Sequence, residues 1–373
     1  MNSKHPQITE GVGVMSGTSL DGLDLAHCRF EENSEGQVIW KIVCAETIPL
    51  PDSWKKRLSQ LPESNAATFA RTDVELGHFI GEQVAKFVQG HQLSPEFVAS
   101  HGQTVFPQPD QGFTSQIGDG ETLGSHLSCP VVSNFRNKDV ALGGQGAPLV
   151  PCAERALFPE IDLFLNLGGI ANISIGDSAF DVCVCNMALN WLASRSEPSL
   201  DYDANGQMAE KGAVSQDLLE GLESIEWYQT SPPRSLGAEW FEEQLLPILN
   251  DPSLSIEDRL ATYCRHIALR VRDSLKSSQA AGEILITGGG ANNLYLFNEL
   301  KHEFASIGVL VQVEVDCQVI DFKEALSFAY LGWLTLQGKC NTMPSVTGAR
   351  RAAVSGSIHL PSGGGFHLSQ NLA

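Results

Sequence analysis

Three glycine-containing turns hold the residues of this chain best suited to chemistry. Val12 to Ala26 (VGVMSGTSLDGLDLA) reads as an apolar strand, a turn of Ser, Thr, Gly and Asp, and a second strand, with no helix opening after the glycines. Backbone N–H groups and hydroxyls in such a turn can lie against a polyphosphate. The turn matches neither G-x-x-x-x-G-K-S/T nor G-x-G-x-x-G, the two common nucleotide loops, and a plain hairpin is the competing reading. Gly168-Gly169 forms a second turn, between candidate strands Leu163 to Leu167 and Ile170 to Ile175. Gly288-Gly289-Gly290 lies between the strand Ile284 to Ile286 and a helix start near Asn292-Asn293, which can cap it. Cys183-x-Cys185 lacks the spacing of a zinc knuckle or a redox C-x-x-C.

The elements that must position these turns are legible as two similar runs. The first has strands Gly11 to Met15, Leu23 to Phe30 and Val38 to Ile48. A helix follows with Leu76, Phe79, Ile80, Val84, Phe87 and Val88 at helical spacing, then a strand Phe97 to Ala99 entering the polar turn Ser100 to Gln103. The second has the strands around Gly168-Gly169, a third strand Ala179 to Val184, and a helix striped by Leu260, Cys264, Ile267 and Val271. After the strand Ile284 to Ile286 come a strand Val309 to Val315 and a helix Phe322 to Leu336. Repetition of one plan implies a duplication. The 373 residues are long for one core and suit two domains.

With 24 Lys and Arg against 44 Asp and Glu, the formal charge is −20. That balance disfavours nucleic acid or an anionic membrane as partner, since both call for a basic patch. The segment MNSKHPQITEG has no apolar stretch of the signal-peptide kind, and no uninterrupted apolar run approaches a membrane span. Nine scattered cysteines suit reduced thiols. The expectation is a cytoplasmic protein.

Taken in order, GVMSGTSLDGLD, SHGQTVF, QIGDG, FRNKDVALGGQGAPLVP, NLGGIANIS, the Asp181 segment, DYDANG, ITGGGANN, EALSFAYLGW and PSVTGA resemble the 1,6-anhydro-N-acetylmuramic acid kinase family. That family is part of the sugar kinase/Hsp70/actin superfamily, and the resemblance runs from Val12 to about Pro361. It implies an α/β, two-lobed actin-like ATPase (ribonuclease H-like) fold with duplicated mixed sheets and an interlobe active-site cleft. The lobes would be residues 1–142, completed by about 345–373, and residues 143–344. The implied reaction uses ATP and water to open the anhydro ring of a cell-wall sugar, giving N-acetylmuramate 6-phosphate. A homodimer is also implied.

Residue by residue, the resemblance makes Gly17, Thr18, Ser19, Leu20, Asp21, Gly22, Leu23 and Asp24 an ATP loop. Asp21 would position hydrated Mg²⁺, and Gly168, Gly169, Gly288, Gly289 and Gly290 would complete the nucleotide contacts. Asp181 would be the catalytic base that takes a proton from water; a strand-end Asp capping the helix from Asn186 is the structural alternative. His101, Gln103, Arg136 and Glu324 would bind the sugar, Arg136 through its planar fork. A structural turn histidine, an Arg136–Asp139 ion pair and a first-turn Glu324 complementing the helix dipole are the competing roles. Where the family reads D-T-G-P-G-N, this chain has Asp181-Val182-Cys183-Val184-Cys185-Asn186, and it departs again at Asn190, Ala238 and Glu242. Those departures concentrate in presumed substrate-side elements, which leaves a kinase for a different amino sugar as the alternative, with a non-catalytic nucleotide-gated member of the superfamily as a further one.

Overall fold

Apolar residues at alternating positions lay down the first sheet. A computed structural model describes residues 8–17, 22–196, 200–232, 234, 236–312 and 316–361. The chain divides into two compact units, Met1–Pro159 with Phe322–Ala373, and Glu160–Asp321.

The first unit contains β1 (Thr9–Ser16), β2 (Gly22–Glu32), β3 (Val38–Pro49), β4 (Phe97–Ser100), β5 (Gln103–Gln108), β6 (Phe113–Ile117), β7 (Val131–Ser133) and a last strand Ser357–His359. Its main sheet runs β3-β2-β1-β4-β7 and ends on Ser357–His359, while β5 and β6 pair separately. β1, β2 and β3 are antiparallel neighbours, whereas β4 lies parallel to β1 and β7 parallel to β4. Leu23 and Leu25 of β2 are buried with Val12 and Val14 against Leu76, Ile80 and Val84 of the helix Ala66–Gly90. Asn65 caps that helix by accepting from the Thr68 N–H at 2.9 Å, a contact worth about 1 kcal/mol. On the opposite face Phe30 stacks on Trp333 of the helix Cys317–Leu336, with ring centroids 5.3 Å apart. Gly13 lets β1 meet that helix: a Cβ there would stand 1.8 Å from the Ala325 carbonyl oxygen.

The second unit contains β8 (Leu163–Leu167), β9 (Ile170–Ile175), β10 (Ser178–Val184), β11 (Gly282–Thr287) and β12 (Val309–Val311). The order is β10-β9-β8-β11-β12. Again the first three strands are antiparallel and the last two run parallel to the first. Two units with one strand order and one pattern of directions are the duplicated mixed sheets of the ribonuclease H-like, actin-like ATPase fold. Leu260, Cys264, Ile267 and Val271 of the helix Ile256–Ser277 bury their stripe against Leu165, Ile173 and Val182. Asn293 caps the helix Leu294–Ile307, accepting from the Leu296 N–H at 3.0 Å.

Several boundaries differ from expectation. The compact units divide at 159/160 and 321/322 rather than at 142/143 and 344/345. The helix Val150–Leu157 stays with the first unit, since Trp40 Nε1 of β3 donates to the Leu157 carbonyl at 2.6 Å. The helix expected from Phe322 begins at Cys317, where the Asp316 carboxylate accepts from the Gln318 N–H at 3.0 Å. Glu324 therefore stands well inside the helix, and a first-turn role opposite the helix dipole is excluded. The strand expected over Val309 to Val315 is described only as Val309–Val311, and residues 313–315 lie outside the described residues.

Candidate functional site

Asp181 lies on β10, the edge of its sheet, beside a β-bulge. β10 pairs Asp181 with Asn172, then shifts register so that Cys183 pairs with Ala171. Without the shift, Asp181 and Cys183 would point to one face, because side chains alternate along a strand. The extra residue sends Cys183 into the core and turns Asp181 to the other face, as bulges beside functional sites do. Arg234 and Leu236, which belong to no strand or helix, close on this edge. The Asp181 N–H donates to the Arg234 carbonyl at 3.1 Å, Arg234 Nε donates back to the Asp181 carbonyl at 3.0 Å, and the Leu236 N–H donates to Asp181 Oδ2 at 2.8 Å. Burial pushes the Asp181 carboxyl up to about 6, against the Leu236 hydrogen bond and the Arg234 charge, which lower it. A carboxyl poised there accepts a proton at neutral pH and can return it. Its partner is Leu236, so capping of the helix Asn186–Ser196 is not its role.

Arg234 is held in turn. Its guanidinium donates to the Thr230 carbonyl at 2.9 Å and covers the Trp227 ring at 4.8 Å. Sequence reasoning noted this region only for its departures; nothing in its pattern announces a strap along an edge strand.

On the face that carries Asp181, β8 and β9 pair Asn166 with Asn172, and β9 and β10 pair Asn172 with Asp181. Thr287 of β11 continues the row beside Asn166. Among the described residues neither asparagine carboxamide makes a hydrogen bond, and the buried Thr287 hydroxyl has no partner.

The glycines divide into two kinds. Gly288 has φ +84°, and a Cβ would stand 2.6 Å from Asn166 Oδ1; at Gly290 it would stand 2.8 Å from Leu167 Cβ. Folding alone accounts for both. Gly168, Gly169 and Gly289 meet nothing nearer than 3.4, 3.9 and 3.7 Å and have no positive φ, so the fold does not require glycine there. Such positions suit the close approach of a ligand to backbone. In the first unit, Gly22 is required by β3, since a Cβ would lie 2.8 Å from the Ile48 carbonyl. Leu23 is buried in the core, and the Asp24 carboxylate accepts from the Thr47 hydroxyl at 2.6 Å. Thr18, Ser19, Leu20 and Asp21 lie outside the described residues, and Gly17 is the last residue described before them.

Of the expected sugar ligands of the first unit, His101, Arg136 and Gln103 are hydrogen-bonded within the protein, and Glu324 makes no hydrogen bond among the described residues. His101 Nε2 accepts from Arg136 Nε and Nη2 at 3.0 and 2.9 Å, and Arg136 Nη1 donates to the Gly146 carbonyl at 2.8 Å. Burial, then the adjacent Arg136 charge, holds His101 down to about 3, so the ring is neutral and an acceptor. Arg136 is drawn down to about 10 by burial against the opposing pull of Glu324 and Asp139, and stays charged at neutral pH. Asp139 itself accepts from the Gly146 N–H at 2.9 Å and the Thr347 hydroxyl at 2.8 Å rather than pairing with the guanidinium. Gln103 Oε1 accepts from the Ser16 hydroxyl at 2.5 Å. Burial raises Glu324, with Lys323 beside it lowering and Asp24 raising.

A cavity of about 100 Å³ in this unit is lined by Asp73, His101, Asp119, Ser133, Asn134 and His359 among others. It draws the SHGQTVF, QIGDG and NFR segments to one place. Asp73 accepts from the Gly118 N–H at 2.8 Å, and His359 Nε2 bonds the Ser133 hydroxyl at 2.8 Å. Asp73, Ser133 and His359 escaped the sequence reading; only Asn134 stood near a recognised motif, and long-range packing alone joins the others.

The family model described as anhydro-N-acetylmuramic acid kinase matches residues 9–361. A protein of that name from Pseudomonas fluorescens (strain Pf0-1) is 36% identical, over 93% of this chain and 98% of its own length. Another from Coxiella burnetii (strain Dugway 5J108-111) is 34% identical, over 93% and 96%. The chain belongs to the anhydro-N-acetylmuramic acid kinase family. Among solved structures, an activator of 2-hydroxyisocaproyl-CoA dehydratase from Clostridium difficile with bound ADPNP is 14% identical, with TM-score 0.39, over 87% of this chain and 93% of that one.

Membership in the anhydro-N-acetylmuramic acid kinase family gives the departures from its pattern a physical reading. Val182, Cys183, Val184 and Cys185 are fully buried core residues, not substrate-side groups. Their apolar character fills the second unit's core while the bulge keeps Asp181 outside it.

Proposed function

We propose that this chain is an ATP-dependent kinase that hydrolytically opens 1,6-anhydro-N-acetylmuramic acid and phosphorylates O6, yielding N-acetylmuramate 6-phosphate in cell-wall recycling. The observation that carries the reading is Asp181: turned out of the core by a bulge, held by the Leu236 N–H at 2.8 Å, with its carboxyl raised to about 6.

Water alone is a poor nucleophile toward an acetal carbon, so a base must take its proton as the C–O bond forms. Asp181 takes one proton from water, and the oxygen's electron pair bonds to C1. The C1–O6 bond breaks with its pair on O6, and O6 attacks the γ-phosphorus in line, releasing ADP. The open faces of Gly168, Gly169 and Gly289 suit phosphate oxygens, and the Gly17 to Asp24 loop belongs to the same role. Asp21 would hold hydrated Mg²⁺ bound with the nucleotide. The ion would supply charge neutralisation at the phosphates. Arg136, oriented by His101 and Gly146, offers a fixed cation for the lactyl carboxylate, with Gln103 and Glu324 for hydroxyls.

The test is turnover of the anhydro sugar with ATP in ¹⁸O-water. Label at C1 and phosphate at O6 are expected, and Asp181→Asn should lower kcat by about 10²–10⁴ while keeping nucleotide affinity. Phosphorylation with no label at C1 would instead favour a kinase for a different amino sugar, and normal turnover by the variant would remove Asp181 from the role. Among the described residues no helix is long and apolar enough to cross a membrane. A cytoplasmic homodimer belongs to the same proposal, and a monomeric mass in sedimentation would count against the dimer.

A further inference from the structure

Antiparallel register places Asn172 directly opposite Asp181 on the face turned away from the core. Residues opposed in this way have Cβ atoms about 4.5–5.5 Å apart and share one face. That spacing lets one water molecule bridge two carboxamide or carboxylate side chains. Asp181 already receives the Leu236 N–H on Oδ2. Asn172 is half-buried, and its carboxamide makes no hydrogen bond among the described residues. A polar group part-removed from water and left without a partner is costly unless something else occupies it. Gly168-Gly169, whose backbone is open, closes the same β8–β9 hairpin a few residues away.

We propose that Asn172 is a further catalytic residue, which holds the attacking water together with Asp181. The inference rests on the anhydro-bond reaction above. The water donates one O–H to Asn172 Oδ1 and the other to Asp181. As the oxygen's pair forms the bond to C1, the second proton passes to Asp181, and the C1–O6 pair leaves on O6. The proton on the Asn172 side stays on the new hydroxyl, so the asparagine neither gains nor loses charge. Its contribution is aim: two fixed acceptors hold both O–H bonds and so turn the water's lone-pair side toward the carbon.

The experiment uses the full chain with ATP and the anhydro sugar. The variants are Asn172→Ala, Asn172→Thr, which keeps one acceptor oxygen and suits a strand, and Ser174→Ala as a control. Ser174 lies on the same face, one pair further along β9, where it opposes Ala179. Asn172→Ala is expected to lower kcat by about 10²-fold, the cost of a misplaced reactant. Its Tm and its dissociation constant for a nonhydrolysable ATP analogue should match the parent. Asn172→Thr should recover part of the loss, and Ser174→Ala should turn over normally. The inference is overturned if Asn172→Ala keeps kcat within threefold. It is equally overturned if kcat falls together with Tm or nucleotide affinity, or if both Asn172 variants fail to fold, since each assigns the residue to the fold or the nucleotide. If the parent protein releases no sugar phosphate, the proposed function fails and this inference with it. If Asp181→Asn is impaired while Asn172→Ala is not, only this inference falls.

Discussion

The two units share one sheet order but differ in how the polar side chains of their candidate sites are bonded. In the first unit Ser16 bonds to Gln103, His101 to Arg136, Arg136 to Gly146, and Asp139 to Gly146 and Thr347, while the Glu324 carboxylate makes no hydrogen bond among the described residues. In the second, Asn166 and Asn172 have no partner among the described residues, and Asp181 receives one backbone N–H. A network satisfied in advance fixes geometry and binds without reorganising. Groups left unsatisfied are available to reactants. Under the proposed function, the first unit supplies a rigid template and the second supplies chemistry.

Breaking the template should produce the largest change in stability. Arg136→Ala strips the buried His101 Nε2 and the Gly146 carbonyl of their donor, at about 1–3 kcal/mol for each acceptor left unpaired. Chemical denaturation should show the loss, and Arg136→Lys should restore only part of it, because an ammonium cannot reproduce the fork. An unchanged midpoint in Arg136→Ala would mean the network is not pre-formed.

The glycines sharpen the contrast at intermediate size. Gly288→Ala places a Cβ in a backbone region nearly closed to other residues and should cost about 1–3 kcal/mol. Gly169→Ala should leave Tm unchanged, since its Cβ meets only Met187 at 3.9 Å, but should raise the KM for ATP. A Gly169→Ala protein with the parent KM would show that no phosphate passes there.

The smallest effect tests the second unit's unsatisfied state. The Asp181 carboxyl is raised in the folded protein to about 6 from 3.8, so folding disfavours its ionised form. The stability this costs is absent below about pH 3.8, grows as pH rises to about 6 and is then constant. Asp181→Asn should therefore stabilise the protein at pH 7–8, by on the order of 1 kcal/mol, and give nothing near pH 3. Equal Tm gains at both pH values would rule out ionisation as the cause.

Much of the fold was legible because it is written in local periodicity. The three opening strands, the Ala66–Gly90 stripe and the Asn293 cap all follow from alternation, helical spacing and a capping side chain. The start of the helix Cys317–Leu336 was not, since its Asp316 cap stands before residues that do not begin an apolar stripe. The candidate site was half legible. The family resemblance pointed to Asp181, His101 and Arg136, but the bulge after Asp181, its bonds with Arg234 and Leu236 and the His101–Arg136 bond depend on contacts distant in sequence. Burial of Cys183 and Cys185 was expected from their apolar surroundings, while that of Val182 and Val184 became visible through the sheet.

The strap along β10 has a consequence for how such a protein diversifies. The proton affinity of the carboxylate, raised by burial, is opposed by the Leu236 amide and the Arg234 charge, from two residues that belong to no strand or helix. Substitutions at these positions can retune acidity while the β-sheet scaffold stays as it is. Inheritance of architecture and adjustment of reactivity are thereby assigned to separate parts of one polypeptide.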